Sequence, residues 1–221
     1  QWRRRAEKDV KYLELLVIKR RKILETASGK ISLLAELLEL EGNRKIEYAL
    51  IYATDKDPQQ LKEVNKLLKD RGISFHQLTD RETNKGRTAQ EILLDFQNCH
   101  LKVLTAKRVL DEGVNIPQIK LAFLLASTTV IRQWVQRRGR LLRKCKEIGK
   151  THAVIHDFVV LPPNVLLESS TSQDLDEDSR KLIRSEYKRV WEFAKLSRNS
   201  SNDDGPFKIL DKLKKLTNQL E

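Results

Sequence analysis

The sequence predicts an α/β fold in which helices cover both faces of a parallel sheet. From Ile46 onward, short apolar runs alternate with amphipathic stretches, a pattern typical of strand–helix–strand units. Helix starts with capping chemistry follow two of these runs, at Asp57-Pro58 and at Thr88. With 39% hydrophobic and 33% charged residues, the 221-residue chain can bury one ordinary core, which excludes a wholly disordered protein.

The amino-terminal segment, residues 1–41, is predicted to form a helical connector. Apolar residues such as Leu34 and Leu38 recur at helical spacing, and Ser28-Gly29 is expected to divide the segment into two helices. Its first thirty residues contain ten Lys or Arg and four Asp or Glu, a net charge of +6. A solvated helix face is the preferred interpretation of that charge, and a dedicated phosphate contact is the alternative.

Five short strands are predicted after the connector, at residues 49–53, 74–78, 103–106, 121–126 and 153–160. The helix after the first strand is expected to begin with Asp57 as its N-cap, Pro58 at its first position and Gln60 placed for a capping box. Gly72 can supply the left-handed residue that ends this helix. The next helix is expected to begin at Thr88, with Glu91 completing a second capping box.

Beyond the last strand, the composition predicts a linker followed by two more helices. Pro162-Pro163 ends the strand, and residues 168–178 contain five acidic and no basic residues. Residues 180–196 and 206–220 have the apolar spacing of helices. The predicted domains are a helical connector at 1–41, a sheet domain at 42–163, an acidic linker at 164–178 and accessory helices at 179–221.

The excess of positive charge predicts a polyanion as the partner. The chain has 43 Lys or Arg against 31 Asp or Glu, a net charge of +12 and an isoelectric point near 9.7. No apolar run approaches the roughly 20 residues that a membrane helix requires, so no membrane partner is expected.

The cysteines and histidines predict neither a disulfide framework nor a metal site. Cys99 and Cys145 form no CxxC pair, and the four histidines lack metal-ligand spacing. A reducing, intracellular location is expected, cytoplasmic in a prokaryote or nuclear in a eukaryote. The chain starts at Gln1 and contains no methionine, so we expect it to be part of a longer protein.

The sharpest feature is the basic run from Gln136 to Arg143. Residues 131–150 hold eight Lys or Arg and one Glu, a net charge of +7. Arg140 and Arg143 are three residues apart, which places them on one face of a predicted helix where both guanidinium groups can reach one triphosphate. Gly139 removes a side chain where the backbone must turn or be approached closely. A solvated basic helix or a plain nucleic-acid patch is the alternative.

Three segments resemble motifs of the superfamily 2 helicases and translocases. The basic run resembles motif VI, whose pattern is QRxGRxxR; residues 103–117 (VLTAKRVLDEGVNIP) resemble motif V, and the strand ALIYA with Thr54 resembles motif IV. The resemblance covers roughly residues 28–161 and implies a RecA-like parallel sheet sandwiched by helices. EGVNIP, QRRGRLLR and the later IHDFVVLP look most similar to the branch of DNA-repair and restriction or phage-defence helicases.

The resemblance also implies roles at a bound nucleotide. The residues expected there are Arg140, Arg143, Gln136, Gly113, Asn115 and Gly139. Arg140 and Arg143 would be arginine fingers that reach the γ-phosphate of ATP, and Gln136 would orient them or touch the phosphates. Asn115 would lie near the ribose, where many relatives have Asp; Asn keeps the hydrogen bonding and loses the charge.

A second set of residues would contact the nucleic-acid backbone. Thr105 would sit at the carboxyl end of a strand, with Lys107 and Arg108 beyond it. Thr54 and Thr79 are further candidates for the same phosphate track, and a structural turn hydroxyl is the alternative for each of these two threonines.

The chain has no P-loop, the GxxxxGK[ST] pattern whose amides and lysine hold the phosphates. ATP with Mg²⁺ is therefore expected to be held mainly by a preceding P-loop RecA-like domain of the same polypeptide. The sequence predicts the second motor domain of an ATP-dependent DNA helicase or translocase, an enzyme as part of a larger protein and inactive as an ATPase alone. The alternatives are a non-enzymatic nucleic-acid-binding module with a degenerate motor fold and an RNA-directed ATPase of the same superfamily.

Overall fold

The structure is a computed structural model of the 221-residue chain. The residues that it describes are 12, 15–16, 19, 22–27, 29–43, 45–54, 58–78, 89–106, 115–126, 139–163, 165, 170–171, 173, 175–202 and 205–217.

Five strands form one parallel sheet. Their bounds are β1 Ala49–Tyr52, β2 Phe75–Leu78, β3 Val103–Ala106, β4 Leu121–Leu124 and β5 Val154–Asp157. The order across the sheet is β2-β3-β1-β4-β5, and every pairing is parallel. This arrangement confirms the predicted α/β fold and all five strands, although four of the strands are shorter than predicted. Residues just past β4 leave the regular ladder but keep bonds to β1: the amides of Leu125 and Ala126 both donate to the Tyr52 carbonyl.

The described helices are α1 Gly29–Glu41, α2 Pro58–Asp70, α3 Ala89–Gln97, α4 Glu177–Ala194 and α5 Pro206–Thr217. Gly72 ends α2 as predicted, because its φ of 65° allows the Ile73 amide to turn back and donate to the Leu68 carbonyl at 3.0 Å. The side chain of Gln60 bonds to a residue further back in the chain than the predicted capping box requires. Its side-chain oxygen accepts from the amide of Thr54 at 2.9 Å, ahead of the helix. Asp57 and Thr88 lie outside the described residues.

The core lies where α1 and α2 pack against the sheet. Leu34 and Leu38 of α1 belong to the same buried cluster as Ile51 of β1 and Phe123 of β4. The predicted boundary at residue 41 therefore does not separate α1 from the sheet. Edge strand β5 is fixed to the end of α1, since His156 pairs with Glu41 at 2.8 Å.

The chain divides into two compact units, Gln1–Phe158 and Val159–Glu221. The second unit contains α4 and α5, whose buried side chains Ile183, Leu213 and Leu216 form a separate core. Helix α4 begins before the predicted start, inside the run that was predicted as a linker. Asp176 caps it by accepting from the Ser179 amide at 2.6 Å, and this bond lowers the pKa of the Asp176 carboxyl.

No helix in the described part of the chain combines the length and the apolar character that crossing a membrane demands.

Candidate functional site

Two segments that carry predicted nucleotide-binding residues meet in the structure. The guanidinium of Arg143 donates a hydrogen bond to the side-chain oxygen of Asn115, 28 residues earlier in the chain. Both residues are exposed. The contact brings a polar amide and a permanent cation together at the surface, a donor set suited to an anionic ligand.

A buried lysine ties the same two segments together from below. Lys150 is 4% exposed, and its ammonium donates to the carbonyl of Pro117 at 2.9 Å and to that of Leu141 at 2.7 Å. Leu141 is the last residue of a helical turn, so its carbonyl lacks a partner within the helix. The ammonium supplies that partner and complements the negative end of the helix dipole. Burial lowers the pKa of Lys150 from 10.5 to about 8.

A tight loop places Lys150 in this position. Cys145 and Lys150 exchange backbone hydrogen bonds, at 3.1 Å from the Cys145 amide and 2.8 Å from the Lys150 amide. Gly149 completes the turn with a φ of 62°, a conformation that residues with a Cβ rarely adopt. The buried Cys145 thiol donates to Glu147 at 3.0 Å, and burial raises its pKa.

Arg140 and Arg143 do not share a helix face, which corrects the prediction. The helix ends at Leu141, and Arg143 follows it. Two features oppose its continuation: the carbonyl of Leu141 is taken by Lys150, and the chain enters the bridge at Cys145. Arg140 is half-buried within the last helical turn, while the Arg143 side chain reaches Asn115.

Residues 29–145, more than half of the chain, match the family model described as the helicase conserved C-terminal domain. The chain belongs to this family. The Arg143–Asn115 contact therefore joins two motif segments of a helicase C-terminal domain.

Known proteins with related sequence or fold agree with this assignment. The chain is 30% identical over 122 residues to the DNA 3'-5' translocase XPB2 of Sulfurisphaera tokodaii, a match that covers 55% of this chain and 25% of that protein. The chain thus spans about a quarter of the length of this curated relative.

Two solved structures show the same fold. T4 UvsW superimposes with a TM-score of 0.56 at 17% identity, covering 80% of this chain and 34% of that chain. The C-terminal domain of the DEAD-box protein Dbp5 superimposes with a TM-score of 0.51 at 18% identity. The match covers 79% of this chain and 83% of that chain. These likenesses confirm the RecA-like fold of this helicase C-terminal domain.

The motif IV candidate, Thr54, lies in a buried polar network at the carboxyl end of β1. It is 1% exposed, and its hydroxyl donates to the Glu25 carboxylate at 2.5 Å. Gln60 donates to the Glu25 carbonyl at 2.7 Å, and Lys30 donates to the Leu125 carbonyl at 2.5 Å. The Thr54 hydroxyl is thus buried in a bond that holds the segment before α1 against the sheet.

Thr105 is likewise directed inward. It is fully buried in β3, and its hydroxyl donates to Asn65 of α2 at 2.9 Å. Asn65 in turn donates to Gln77 of β2 at 2.7 Å. The predicted phosphate contact of Thr105 is therefore corrected: its hydroxyl links the sheet to α2.

The structure brings together some of the predicted site residues and leaves others undescribed. Gly139 is exposed at the helical turn. Apart from its chain neighbours and the backbone of its own helix, no described residue has an atom within 4 Å of where a Cβ would stand. The predicted site residues outside the described part of the chain are Gln136, Gly113, Lys107, Arg108 and Thr79.

Sequence reasoning missed Lys150 and Glu25, which it counted only as charges. Lys150 bonds to backbone carbonyls and Glu25 to a residue far along the chain, so no local sequence pattern indicates either contact. In the part of the chain that the structure describes, no group of three or more His, Cys, Asp or Glu side chains could hold a metal ion.

Proposed function

We propose that this chain is the second motor domain of an ATP-dependent DNA helicase or translocase. The observation that carries the proposal is the contact between Arg143 and Asn115, within a domain of the helicase family. The name of the relative from Sulfurisphaera tokodaii, a DNA 3'-5' translocase, supports DNA as the partner. ATP with Mg²⁺ would be held mainly by a P-loop RecA-like domain earlier in the same polypeptide.

The residues at the surface suit the γ-phosphate end of this nucleotide. When bound, ATP with Mg²⁺ supplies the transferable phosphoryl group and a divalent charge. Arg143 would offer a planar, permanently charged donor to developing negative charge, and Arg140 would act beside it. Asn115 would hold the Arg143 guanidinium in place before the ligand arrives, which lowers the entropy lost on binding.

Support for a two-domain arrangement comes from what the sequence lacks. No GxxxxGK[ST] pattern occurs in the 221 residues, so this chain alone should hydrolyse little or no ATP. We also propose an intracellular location, cytoplasmic or nuclear. The thiols of Cys99 and Cys145 are both free, which suits a reducing compartment.

The test uses the intact protein and compares Arg143→Ala with Lys144→Ala. Both residues are exposed and basic and they are neighbours, so the second variant controls for the loss of one positive charge. We expect Arg143→Ala to reduce DNA-stimulated ATP hydrolysis by about 10³-fold or more, the size of an arginine-finger effect, and Lys144→Ala to remain near wild type. Near-normal turnover of Arg143→Ala would exclude the finger role.

The same assay separates the alternatives. ATPase measurements with duplex DNA, single-stranded DNA and RNA should show stimulation by DNA. Stimulation by RNA alone would replace this proposal with an RNA-directed ATPase. An intact protein without ATPase activity under any condition would indicate a binding module that has kept the motor fold.

A further inference from the structure

We propose that the second compact unit carries a binding site for single-stranded nucleic acid, centred on Trp191. The site is a basic and aromatic surface on α4 that does not depend on the motor assignment, since it lies outside the segments that match helicase motifs. We call it the Trp191 surface. It consists of Lys181, Arg184, Lys188, Trp191 and Lys195, together with Tyr187, Phe207 and Lys208.

Helix geometry aligns the residues of this surface. Lys181, Arg184, Lys188, Trp191 and Lys195 follow one another at alternating spacings of three and four, which places them on one face of a helix. The opposite side is buried, and Leu182, Ile183 and Val190 are among its inward residues. The basic stripe is therefore the outer face of α4.

Trp191 stands in the stripe with much of its ring in solvent. Its residue is 43% exposed, although tryptophan is the largest apolar side chain. Tyr187 lies near it with the ring planes 8° apart and the centroids 6.4 Å apart. The ring of Phe207, at the start of α5, makes an angle of 24° with the ring of Trp191, and the two ring centroids are 5.7 Å apart. The rings of Tyr187 and Phe207 are nearly parallel to that of Trp191 and pack beside it, so the Trp191 ring is held in place before any ligand binds.

The positive charge beside Trp191 is local. The second compact unit as a whole is neutral, because residues 159–221 contain eleven Lys or Arg and eleven Asp or Glu. Three basic residues of the stripe have carboxylate partners: Lys195 pairs with Glu192, Arg184 with Glu177 at 3.2 Å, and Lys181 with Asp178 at 3.4 Å. Among the described residues, Lys188 and Lys208 have no carboxylate partner. Lys188 is one helical turn from Trp191, and Lys208 directly follows Phe207.

An exposed aromatic ring with Lys188 one helical turn away suits single strands in particular. Bases of a single strand can stack on an exposed aromatic side chain while lysines contact the phosphates, and stacking is worth about 1–3 kcal/mol per base. A duplex hides the faces of its bases and would use only the charges. A protein partner that carries an acidic surface is the competing class, and the experiment gives it a distinct outcome.

The experiment measures binding of the 221-residue chain to a fluorescently labelled oligonucleotide of twenty thymidines, by anisotropy over a series of salt concentrations. The main comparison is Trp191→Leu with Trp191→Phe, because leucine keeps an apolar contact and phenylalanine also keeps a ring. We expect Trp191→Leu to weaken binding about fivefold or more, and Trp191→Phe to stay closer to wild type. Leu196→Ala, which alters another exposed apolar residue of the same unit, is the matched control and should bind normally.

The lysines are tested by salt dependence. Lys188→Ala and Lys208→Ala should each reduce the slope of log Kd against log salt by about 0.7, the value for one phosphate contact on a single strand. Lys62→Ala, an exposed lysine of α2, should leave the slope unchanged if the contact is local. Because Lys188 is exposed, its replacement should not disturb folding, so an unchanged slope would count directly against the site.

Three results would overturn the proposal. They are equal affinity of the two Trp191 variants, an unchanged slope in both lysine variants, and no binding of the oligonucleotide by the wild-type chain. The last result would leave a protein partner as the better explanation of the Trp191 surface. Failure of the ATPase test with normal Trp191-dependent binding would reject the motor role and leave this site standing.

Discussion

The guanidinium of Arg143 is hydrogen-bonded to the side chain of Asn115, and the same two backbone segments are joined underneath by the ammonium of Lys150. One bond lies at the surface and the other is buried. The upper contact is open to solvent, whereas the lower contact is enclosed and holds the two segments together. This division of roles leads to the first two predictions.

Asn115→Ala should impair catalysis in the intact protein more than it impairs folding. The change frees the Arg143 side chain from its surface partner, and a misplaced catalytic group can reduce a rate by about 10- to 100-fold. Asn115→Asp should keep the contact, because a carboxylate accepts a charge-assisted bond from arginine. Steady-state ATPase kinetics with both variants provide the check, and equal kcat for Asn115→Ala and wild type would show that the contact has no catalytic role.

Lys150→Met should destabilise the first compact unit. The carbonyls of Pro117 and Leu141 would lose their buried donor, at a cost of about 1–3 kcal/mol for each unsatisfied group. Urea unfolding followed by circular dichroism measures the loss. Lys146→Met, on the exposed part of the same loop, is the matched control and should change stability little. Equal stability of both variants would contradict the role given to Lys150.

The pH dependence of stability should carry a contribution from Lys150. Its pKa is about 8 in the folded chain and 10.5 in the unfolded chain, so the unfolded state binds more protons between these values. The free energy of unfolding should therefore rise from pH 8 toward pH 10.5 through this group, by up to roughly 3 kcal/mol. The measurement is the difference between wild type and Lys150→Met across this range. Both proteins carry Cys145→Ala in this comparison, because the charge of the Cys145 thiolate is coupled to that of the Lys150 ammonium. A flat difference would exclude the lowered pKa.

Thr54→Val should reduce stability and leave nucleic-acid affinity nearly unchanged. Valine keeps the shape of threonine but removes the donor to the buried Glu25 carboxylate, at a cost of about 1–3 kcal/mol. Glu36→Gln, at an exposed position of α1, serves as a control. The opposite result, normal stability with weaker binding, would restore the phosphate contact that the sequence suggests for Thr54.

Arg189→Met should destabilise the second compact unit strongly. Arg189 and Glu186 form a buried ion pair at 2.6 Å, and Glu186 also accepts from the Val160 amide at 3.1 Å. Removing only the arginine leaves an uncompensated buried carboxylate, which costs about 3–5 kcal/mol. The double variant Glu186→Gln with Arg189→Met should recover part of this loss. Thermal unfolding of the three proteins measures it, and a double variant less stable than Arg189→Met would refute the explanation.

The fold could be predicted because its signals are local and strong. Leu50 and Ile51 sit in an uninterrupted apolar run that identifies a buried parallel strand, and Gly72 marks the end of α2 by its conformational freedom. The start of α4 was missed because Glu177 and Asp178 were interpreted as linker acids. They are the first turn of the helix, where negative charge is favourable, and Asp176 is its cap.

The site could be predicted only in part, because its geometry depends on long-range contacts. The sequence singles out Asn115 and Arg143 separately, and it does not show that their side chains touch each other. Lys150 looked like one more charge in a basic run, and its two partners are backbone carbonyls, which every residue possesses. Thr105 lies in β3 and Thr54 follows β1, but their partners Asn65 and Glu25 could be identified only in the folded structure.

The strand order also has a consequence for how the chain is made. β1 is the first strand to be synthesised and the central strand of the sheet, and Ala49 pairs with Val103 on one side and Leu121 on the other. A growing chain therefore carries an apolar strand with two open edges until β3 has emerged, and with one open edge until β4 has emerged. Mutations that slow the formation of β3 or β4 should prolong that exposure, so they should promote aggregation of the nascent chain even where the finished domain tolerates them.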